Sequence, residues 1–191
     1  MMEAFLASTA LVALAEIGDK TMLLAIILAA RLRAPWQILA GIFAATIANH
    51  ALSALAGREL AGLVDAPWFR IAVALGFIAM ALWTLVPDKF DDDDESVARR
   101  GGAFLTTLVA FFIVEIGDKT QIATIALGAQ YQSVFAVAAG TTLGMMIANT
   151  PAVFFGEALI ARISLKATRF AAAGLFLALG IWQLARATGL F

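Results

Sequence analysis

Six long runs of apolar residues divide the chain, and each is long enough to cross a lipid bilayer as an α-helix. One crossing takes about 20 residues. Membrane β-strands would instead appear as short segments of alternating apolar and polar residues, a pattern that the sequence lacks. The sequence therefore predicts an all-α integral membrane protein with six transmembrane helices, near residues 3–30, 36–57, 68–86, 103–130, 133–156 and 169–188.

The chain repeats itself at a spacing of 99 residues. The hexapeptide Glu-Ile-Gly-Asp-Lys-Thr stands at residues 16–21 and again at residues 115–120, and we call these segments the first and the second motif. The same shift relates further identical residues: Arg70 and Arg169, Trp83 and Trp182, and Gly41 and Gly140. Ile47-Ala48-Asn49 also recurs, one residue further on, as Ile147-Ala148-Asn149. These identities indicate a duplicated half.

The duplication predicts how the chain is organised. Residues 1–86 and 103–191 each hold three of the predicted helices, and residues 87–102 form an acidic linker between them. Because three is an odd number, the second repeat crosses the membrane in the opposite sense to the first. Inverted repeats of this kind are typical of secondary transporters, whose substrate site lies near the membrane midplane. We therefore expect one membrane domain with a site shared by the two repeats.

Lys and Arg residues near the helix ends indicate the orientation, because cytoplasmic loops are enriched in them. One side of the predicted topology holds Arg31, Arg33, Lys89, Arg99, Arg100, Arg162, Lys166 and Arg169, and the other holds Arg58, Arg70 and Arg186. The richer side is expected to be cytoplasmic. Residues 87–102 would then lie inside the cell, and both termini would lie outside.

The composition agrees with a membrane protein and excludes several functions. Apolar residues make up 62% of the chain and charged residues only 14%, against about 25% charged residues in soluble domains. The chain has no cysteine, which excludes disulfides and thiolate chemistry. A net charge of −1 argues against nucleic acid as a partner, because binding phosphates requires a basic surface. The expected partner is the lipid bilayer, and the oligomeric state stays open.

Each motif places three ionisable residues inside a predicted transmembrane helix. On a continuous helix, Glu16 and Asp19 share a face, and Lys20 lies within reach of Glu16 for an ion pair. The second motif repeats this arrangement with Glu115, Asp118 and Lys119. An ionisable side chain near the bilayer centre costs about 2.5–3.5 kcal/mol on insertion scales, so making the arrangement twice indicates a function. Each motif sums to −1, and two facing motifs would match a divalent cation.

The available side chains favour a hard cation as the substrate. Carboxylate, amide and hydroxyl oxygens are the ligands that Ca²⁺, Mg²⁺ and Mn²⁺ prefer, so manganese and calcium fit better than copper or zinc. Candidate ligands beyond the four carboxylates are Asn49, Asn149, Thr21, Thr120 and Gln121. A carboxylate that binds a cation can bind a proton instead, so exchange of the metal ion for H⁺ needs no other residues. The cation is then a substrate, and no cofactor is expected.

Several residues also have a purely structural interpretation. The Glu–Lys pairs of the motifs could only fix helix packing, and Asn49 and Asn149 could only bond across helices. For Gly18 and Gly117, we expect a role in close helix packing rather than a broken helix. The duplication argues against a purely structural role for the Glu–Lys pairs, whereas ligation and bonding across helices stay equally open for the two asparagines.

Features outside the motifs are expected to have ordinary roles. His50 has no counterpart in the second repeat, where Thr150 stands in its place, so we expect a packing or pore-lining residue. The run Asp91-Asp92-Asp93-Asp94-Glu95 is expected to be a solvated acidic loop. Trp83 and Trp182 are expected to lie in interfacial belts.

The paired motifs resemble those of a known family. Two Glu-x-Gly-Asp-Lys-Thr segments, one in each three-helix half and joined by an acidic linker, are similar to those of the Gdt-type family of calcium/manganese:proton exchangers. The resemblance spans essentially the whole chain, and neither motif departs from the pattern. It implies that the cation binds to Glu16, Asp19, Glu115 and Asp118, with Lys20, Thr21, Lys119 and Thr120 completing the motifs.

The resemblance also implies a place and a direction of transport. Eukaryotic members of the family serve Golgi manganese and calcium homeostasis, and bacterial members include manganese exporters. The short chain without cysteine or a long N-terminal extension is similar to a bacterial member. We therefore expect a multi-pass protein of the bacterial cytoplasmic (inner) membrane. It would export manganese as first choice or calcium as second, in exchange for H⁺ or Na⁺.

Other functions fit the sequence less well. An amino-acid exporter would need a cationic or zwitterionic pocket rather than two acidic clusters, although a cation channel can also be lined by carboxylates. Intramembrane aspartyl proteases carry Gly-x-Gly-Asp, but Glu16 and Glu115 stand where the first glycine should be. The His-Glu-x-x-His and Gly-x-Ser-x-Gly motifs do not occur. We therefore expect a transporter that works by alternating access, and not an enzyme.

Overall fold

The protein is all-helical wherever its structure is described. The computed structural model describes residues 1–63, 67–86, 102–156, 158 and 164–189. These residues contain no strand, which agrees with the predicted all-α class. The described helices are α1 (Met2–Glu16), α2 (Lys20–Leu32), α3 (Pro35–Leu63), α4 (Pro67–Thr84), α5 (Ala103–Val114), α6 (Lys119–Tyr131), α7 (Val134–Phe155) and α8 (Leu165–Ala187). Residues 87–101, with the acidic run 91–95, Lys89, Arg99 and Arg100, lie outside the described residues, as does Arg162.

Four of the six predicted membrane helices are single helices, namely α3, α4, α7 and α8. Stretches long and apolar enough to cross a membrane are found in α3, α7 and α8, at Pro35–Gly62, Val134–Phe155 and Leu165–Ala187. Helices α4 and α5 are apolar but shorter. Proline begins α3 and α4, where its missing N–H costs no helical hydrogen bond.

The other two predicted helices are each broken in two at a motif. The expectation that the helices continue through Gly18 and Gly117 is wrong, because φ is 84° at Gly18 and 81° at Gly117. These values are outside the helical region and are readily adopted only by glycine. Gly18 also packs closely, since a Cβ atom there would lie 2.5 Å from the Leu165 side chain. The next residue in each motif, Asp19 or Asp118, is the N-cap of a new helix. Each motif therefore ends one helix and begins the next.

The helices pack in a reciprocal pattern. Helix α5 is the equivalent of α1, and α7 is the equivalent of α3, at a shift of 99 residues. Helix α1 packs against α7, and α5 packs against α3. A Cβ atom added to Gly140 of α7 would lie 2.5 Å from the carbonyl oxygen of Phe5 in α1. A Cβ atom added to Gly41 of α3 would lie 2.8 Å from the carbonyl oxygen of Phe104 in α5. The two contacts join equivalent residues, so both repeats use glycine for the same close approach.

Helices α4 and α8 pack against each other along their length. Phe77 of α4 and Phe176 of α8, again 99 residues apart, are both buried, with ring centroids 6.5 Å apart. A Cβ atom added to Gly180 of α8 would lie 2.7 Å from the side chain of Ile78. The third helix of each repeat thus contacts the third helix of the other.

Many large apolar side chains face outward, and many polar side chains are buried inside the bundle together with an apolar core. Thr46, Thr124, Thr141 and Asn149 are fully buried in the helical bundle. Large exposed apolar residues include Leu6, Trp36, Phe43, Leu52, Trp83, Phe135, Phe155 and Trp182. In water this distribution would be unfavourable, whereas it suits contact with lipid. The fold therefore agrees with a multi-pass membrane protein, while interfacial positions for the tryptophans stay a prediction.

Three arginines cluster at one end of the bundle. Arg70 and Arg186 line one surface cavity together with Gln132. Gln132 also lines a neighbouring cavity with Arg58. This agrees with the prediction that the three arginines share one side, and the side of the membrane on which they lie stays a prediction.

Candidate cation-binding site

The four motif carboxylates lie at helix ends in the interior. Glu16 is the last residue of α1, and Glu115 directly follows α5 as its C-cap. Asp19 and Asp118 begin α2 and α6. The exposed fraction is at most 4% for each of these four residues. In transporters, broken helices of this kind present backbone and side-chain groups to a bound ion.

Three of the carboxylates converge across the two motifs. Glu16, Asp19 and Asp118 each have an oxygen atom within 4.8 Å of those of the other two. Oxygen ligands lie about 2.3–2.6 Å from Ca²⁺, so ligands on opposite sides of one ion are about 5 Å apart. One divalent cation can therefore contact all three carboxylates. We call these three residues the carboxylate triad.

The two motif lysines have different surroundings. Lys20 Nζ lies 3.4 Å from Asp118 Oδ1, so this ion pair joins the first motif to the second. The sequence placed Lys20 within reach of Glu16 on a continuous helix, but that helix ends before Lys20. Lys119 Nζ lies 3.3 Å from the carbonyl oxygen of Val86 and 5.9 Å from the ring centre of Trp83. Lys20 therefore contacts the motif of the other repeat, and the described contacts of Lys119 include the end of α4.

Hydroxyl and backbone groups hold the triad carboxylates in place. Thr21 Oγ1 donates a short hydrogen bond to Glu16 Oε2. Thr120 Oγ1 donates to Asp118 Oδ2 over 3.0 Å. The backbone N–H of Lys20, the first residue of α2, donates to Asp19 Oδ1 over 2.7 Å. Thr21 and Thr120 therefore orient motif carboxylates by hydrogen bonds. Direct ligation of the cation by their hydroxyl oxygens stays a prediction.

Glu115 faces α3 rather than joining the triad. Thr46 Oγ1 donates to Glu115 Oε1 over 3.5 Å, and His50 Nε2 lies 3.6 Å from Glu115 Oε2. The Asn49 amide donates to the carbonyl oxygen of Phe112 over 3.2 Å and is also a hydrogen-bonding neighbour of Glu115. Asn49 therefore bonds across helices, which is its structural interpretation, and its role as a cation ligand stays a prediction.

The site has two adjoining parts. The Glu115 carboxylate interacts electrostatically with Glu16 and Asp118, two members of the triad. A charge in this buried site is felt strongly by its neighbours, because the protein interior screens charges less than water. A cation in the triad would therefore also be attracted by Glu115.

Asn149 and Gln121 have other contacts in the described part of the chain. Asn149 Nδ2 donates to the carbonyl oxygen of Met145 in its own helix over 3.0 Å, while Asn149 Oδ1 has no partner there. Gln121 Oε1 accepts a hydrogen bond of 2.7 Å from the Gly117 N–H, so it stabilises the helix break. A role as cation ligands stays a prediction for both residues.

Thr46 and the contact of His50 were missed by the sequence analysis. Thr46 lies three residues before Asn49 and four residues before His50 on α3, so its side chain is a helical neighbour of both. This spacing was visible in the sequence. His50 has no counterpart in the second repeat, and for that reason the sequence analysis gave it no part in the site. The structure places it beside a motif carboxylate.

The sequence model of the family described as "Divalent cation/proton antiporter GDT1" matches residues 4–92 and 103–190. The chain belongs to this family. Each matched segment contains one motif. The resemblance inferred from the two motifs is therefore confirmed. As a GDT1 protein, the chain is a multi-pass membrane transporter of divalent cations and not an enzyme.

Related GDT1 proteins occur in bacteria and plants. The chain is 48% identical over 171 residues to the "Putative manganese exporter" of Vibrio cholerae serotype O1, covering 89% of this chain and 84% of that protein. It is 32% identical to the "GDT1-like protein sll0615" of Synechocystis sp., covering 87% and 89% of the two chains. It is 30% identical to the "GDT1-like protein 4" of Arabidopsis thaliana, covering 95% of each chain. No solved structure shows a significant match.

Proposed function

We propose that this GDT1 protein exports a divalent cation from the cytoplasm in exchange for protons, with Mn²⁺ as first choice and Ca²⁺ as second. The observation that carries the proposal is the carboxylate triad, in which both motifs contribute oxygen atoms within 4.8 Å of one another. The family description supports cation/proton exchange. The name of the Vibrio cholerae relative supports manganese and export. The cation is the substrate, and no cofactor takes part.

The charge of the motifs explains how one site serves both substrates. Four carboxylates and two lysines give the motifs a net charge of −2 when all are ionised. A divalent cation neutralises this charge in an interior where an uncompensated charge is costly. Protons that bind the same carboxylates neutralise it equally and remove the attraction for the metal. Metal and protons therefore exclude each other, which is the requirement for exchange.

The reciprocal packing supports an inverted repeat of 1–86 and 103–191. In this arrangement α1 with α2, and α5 with α6, each form one broken transmembrane span, which gives six spans in total. The equivalent contacts of Gly41 and Gly140 are those expected of two halves related by a pseudo-two-fold axis. Phe77 touches its own equivalent, Phe176, as residues near such an axis do. Rocking of the halves about this axis gives alternating access to the site.

The proposed orientation follows from the distribution of Lys and Arg. Residues 87–102 lie in the cytoplasm, and both termini lie outside the bacterial inner membrane. Arg58, Arg70 and Arg186 then mark the outer end of the bundle, which agrees with the cavities that they share with Gln132.

The test is transport by the purified protein in proteoliposomes. Mn²⁺ uptake and internal pH are followed together under an imposed proton gradient. We expect saturable Mn²⁺ flux coupled to opposing proton flux, and its loss in Glu16→Gln and Glu115→Gln. The matched control is Glu59→Gln, because the Glu59 side chain is 59% exposed and pairs with its neighbour Arg58. A protein that moves neither Mn²⁺ nor Ca²⁺ would contradict the proposal, and non-saturable flux without proton movement would indicate a channel.

A further inference from the structure

His50 is a buried side chain whose nitrogen atoms have no hydrogen bonds within the described part of the chain. It is 0% exposed, and neither Nδ1 nor Nε2 has a hydrogen-bond partner among the described residues. Nε2 faces Glu115 Oε2, which also lacks a hydrogen bond there, at a distance of 3.6 Å. This distance is too long for a hydrogen bond. Buried polar atoms normally have partners, so the facing pair calls for an explanation.

The spacing of these two atoms allows both of them to contact one metal ion. Protein nitrogen and oxygen ligands lie about 2.0–2.6 Å from divalent metal ions. Two ligand atoms 3.6 Å apart can therefore both contact one ion. The pair adjoins the triad, because Glu115 and Asp118 belong to the same motif and the Asp118 N–H donates to the Glu115 carbonyl oxygen over 3.2 Å.

A nitrogen ligand would change the selectivity of the site. Mn²⁺, Ca²⁺ and Mg²⁺ all accept oxygen ligands, so a site of oxygen atoms can select among them only through its size, ligand number and rigidity. Imidazole is a common ligand of transition metals, whereas Ca²⁺ is bound through oxygen. His50 is the only histidine in the chain. The other nitrogen-containing side chains near the site do not offer a nitrogen ligand. Protonated lysine has no free electron pair, and an asparagine amide binds metal through its oxygen.

The nitrogen ligand belongs to one repeat only. Thr150 stands on α7 at the position that corresponds to His50 on α3. The carboxylates are therefore duplicated, whereas the imidazole is not. The difference places discrimination between metals on the Glu115 side of the site.

We propose that His50 binds the transported metal through Nε2, together with Glu115, and makes the site prefer Mn²⁺ and other transition-metal ions over Ca²⁺. This inference rests on the proposed function, because it assigns a specificity-determining residue to the same site.

The first test detects the nitrogen ligand directly. The full chain, purified without a polyhistidine tag, is loaded with Mn²⁺ and studied by electron spin-echo envelope modulation. Samples carry either natural or ¹⁵N-labelled histidine, so the label reports on His50 alone. We expect nitrogen modulation that changes with the label and is lost in His50→Gln. Bound Mn²⁺ whose spectrum does not change with the label would overturn the inference and leave the proposed cation site intact. Failure to bind Mn²⁺ at all would overturn both.

The second test compares the two metals in His50→Gln. The affinity for Mn²⁺ should fall by about 10–100-fold, as when groups around a metal site are removed, while the affinity for Ca²⁺ should stay near the wild-type value. Retained Ca²⁺ binding also shows that the variant is folded. If His50 had a purely structural role, the substitution would weaken the binding of both metals equally. An unchanged ratio of the two affinities would therefore contradict the inference.

Discussion

Single hydroxyl groups hold the charged centre of the site in place. Thr21 is buried at the start of α2 and donates its hydroxyl hydrogen to Glu16 Oε2. This bond crosses the helix break, so it also fixes the end of α1 relative to α2. A carboxylate oriented in this way is ready to bind an ion without losing further conformational freedom.

The Thr21→Val variant tests this role. Valine keeps the shape of threonine but cannot donate, so the affinity for Mn²⁺ should fall by about 10–100-fold. Thr141→Val is the matched control, because the buried Thr141 hydroxyl donates only to the carbonyl oxygens of Val137 and Ala138 in its own helix. Equilibrium Mn²⁺ binding measures both variants. Equal affinities in the two variants would show that the Thr21 hydroxyl does not support the site.

At the scale of residues, the sequence predicts the candidate carboxylates but not their partners. The duplication singles out Glu16, Asp19, Glu115 and Asp118, and all four are buried. The partner of Lys20 could not be predicted, because the contact with Asp118 depends on a helix break and on packing between the two repeats. His50 was expected to be a packing or pore-lining residue because the second repeat has no equivalent histidine. Its contact with Glu115 depends on how the two repeats fold together.

At the scale of elements, each helix break lies between the two carboxylates of its motif. One carboxylate stands at the end of the first helix, and the other begins the second helix. Gly18 and Gly117 supply the positive φ, and the following aspartates begin the new helices. Glycine is frequent in transmembrane helices, so glycine inside an apolar run does not distinguish packing from a break. The aspartate that follows each glycine was the stronger signal, because aspartate is a preferred N-cap residue.

The Gly117→Ala variant tests the break in the second motif. A Cβ atom at Gly117 would meet nothing within 4 Å, so the cost comes from the positive φ alone and should be about 1–2 kcal/mol. We expect a lower unfolding temperature in detergent and slower Mn²⁺ transport. Gly76→Ala in α4 is the control, because its Cβ atom would also meet nothing within 4 Å and its backbone is helical. If both variants behave like the wild type, the break is not needed.

At the scale of the whole molecule, the six apolar runs predicted most of the fold. The ends of α3, α4, α7 and α8 lie within a few residues of the predicted ends, except that α3 continues to Leu63. The reciprocal packing of the two repeats could not be predicted from the sequence of either repeat alone. It depends on which glycines meet which backbone atoms, and this requires both repeats to be folded together.

The glycine contacts predict equal effects of equivalent substitutions. Gly41→Ala and Gly140→Ala would each force two helices apart, and overpacking of this kind costs about 1–3 kcal/mol. The unfolding temperatures of both variants in detergent should fall by similar amounts. Gly174→Ala in α8 should have little effect, because its Cβ atom would meet nothing within 4 Å. Loss of stability in only one of the first two variants would argue against equivalent halves.

The central claim is that the two motifs form one shared cation site. It is tested most directly by the stoichiometry of Mn²⁺ binding to the purified wild-type protein and to Asp19→Asn and Asp118→Asn. The account predicts one high-affinity ion for each chain, and its loss in either variant alone, because both aspartates belong to the triad. Two independent ions for each chain, each lost with its own motif, would contradict the account.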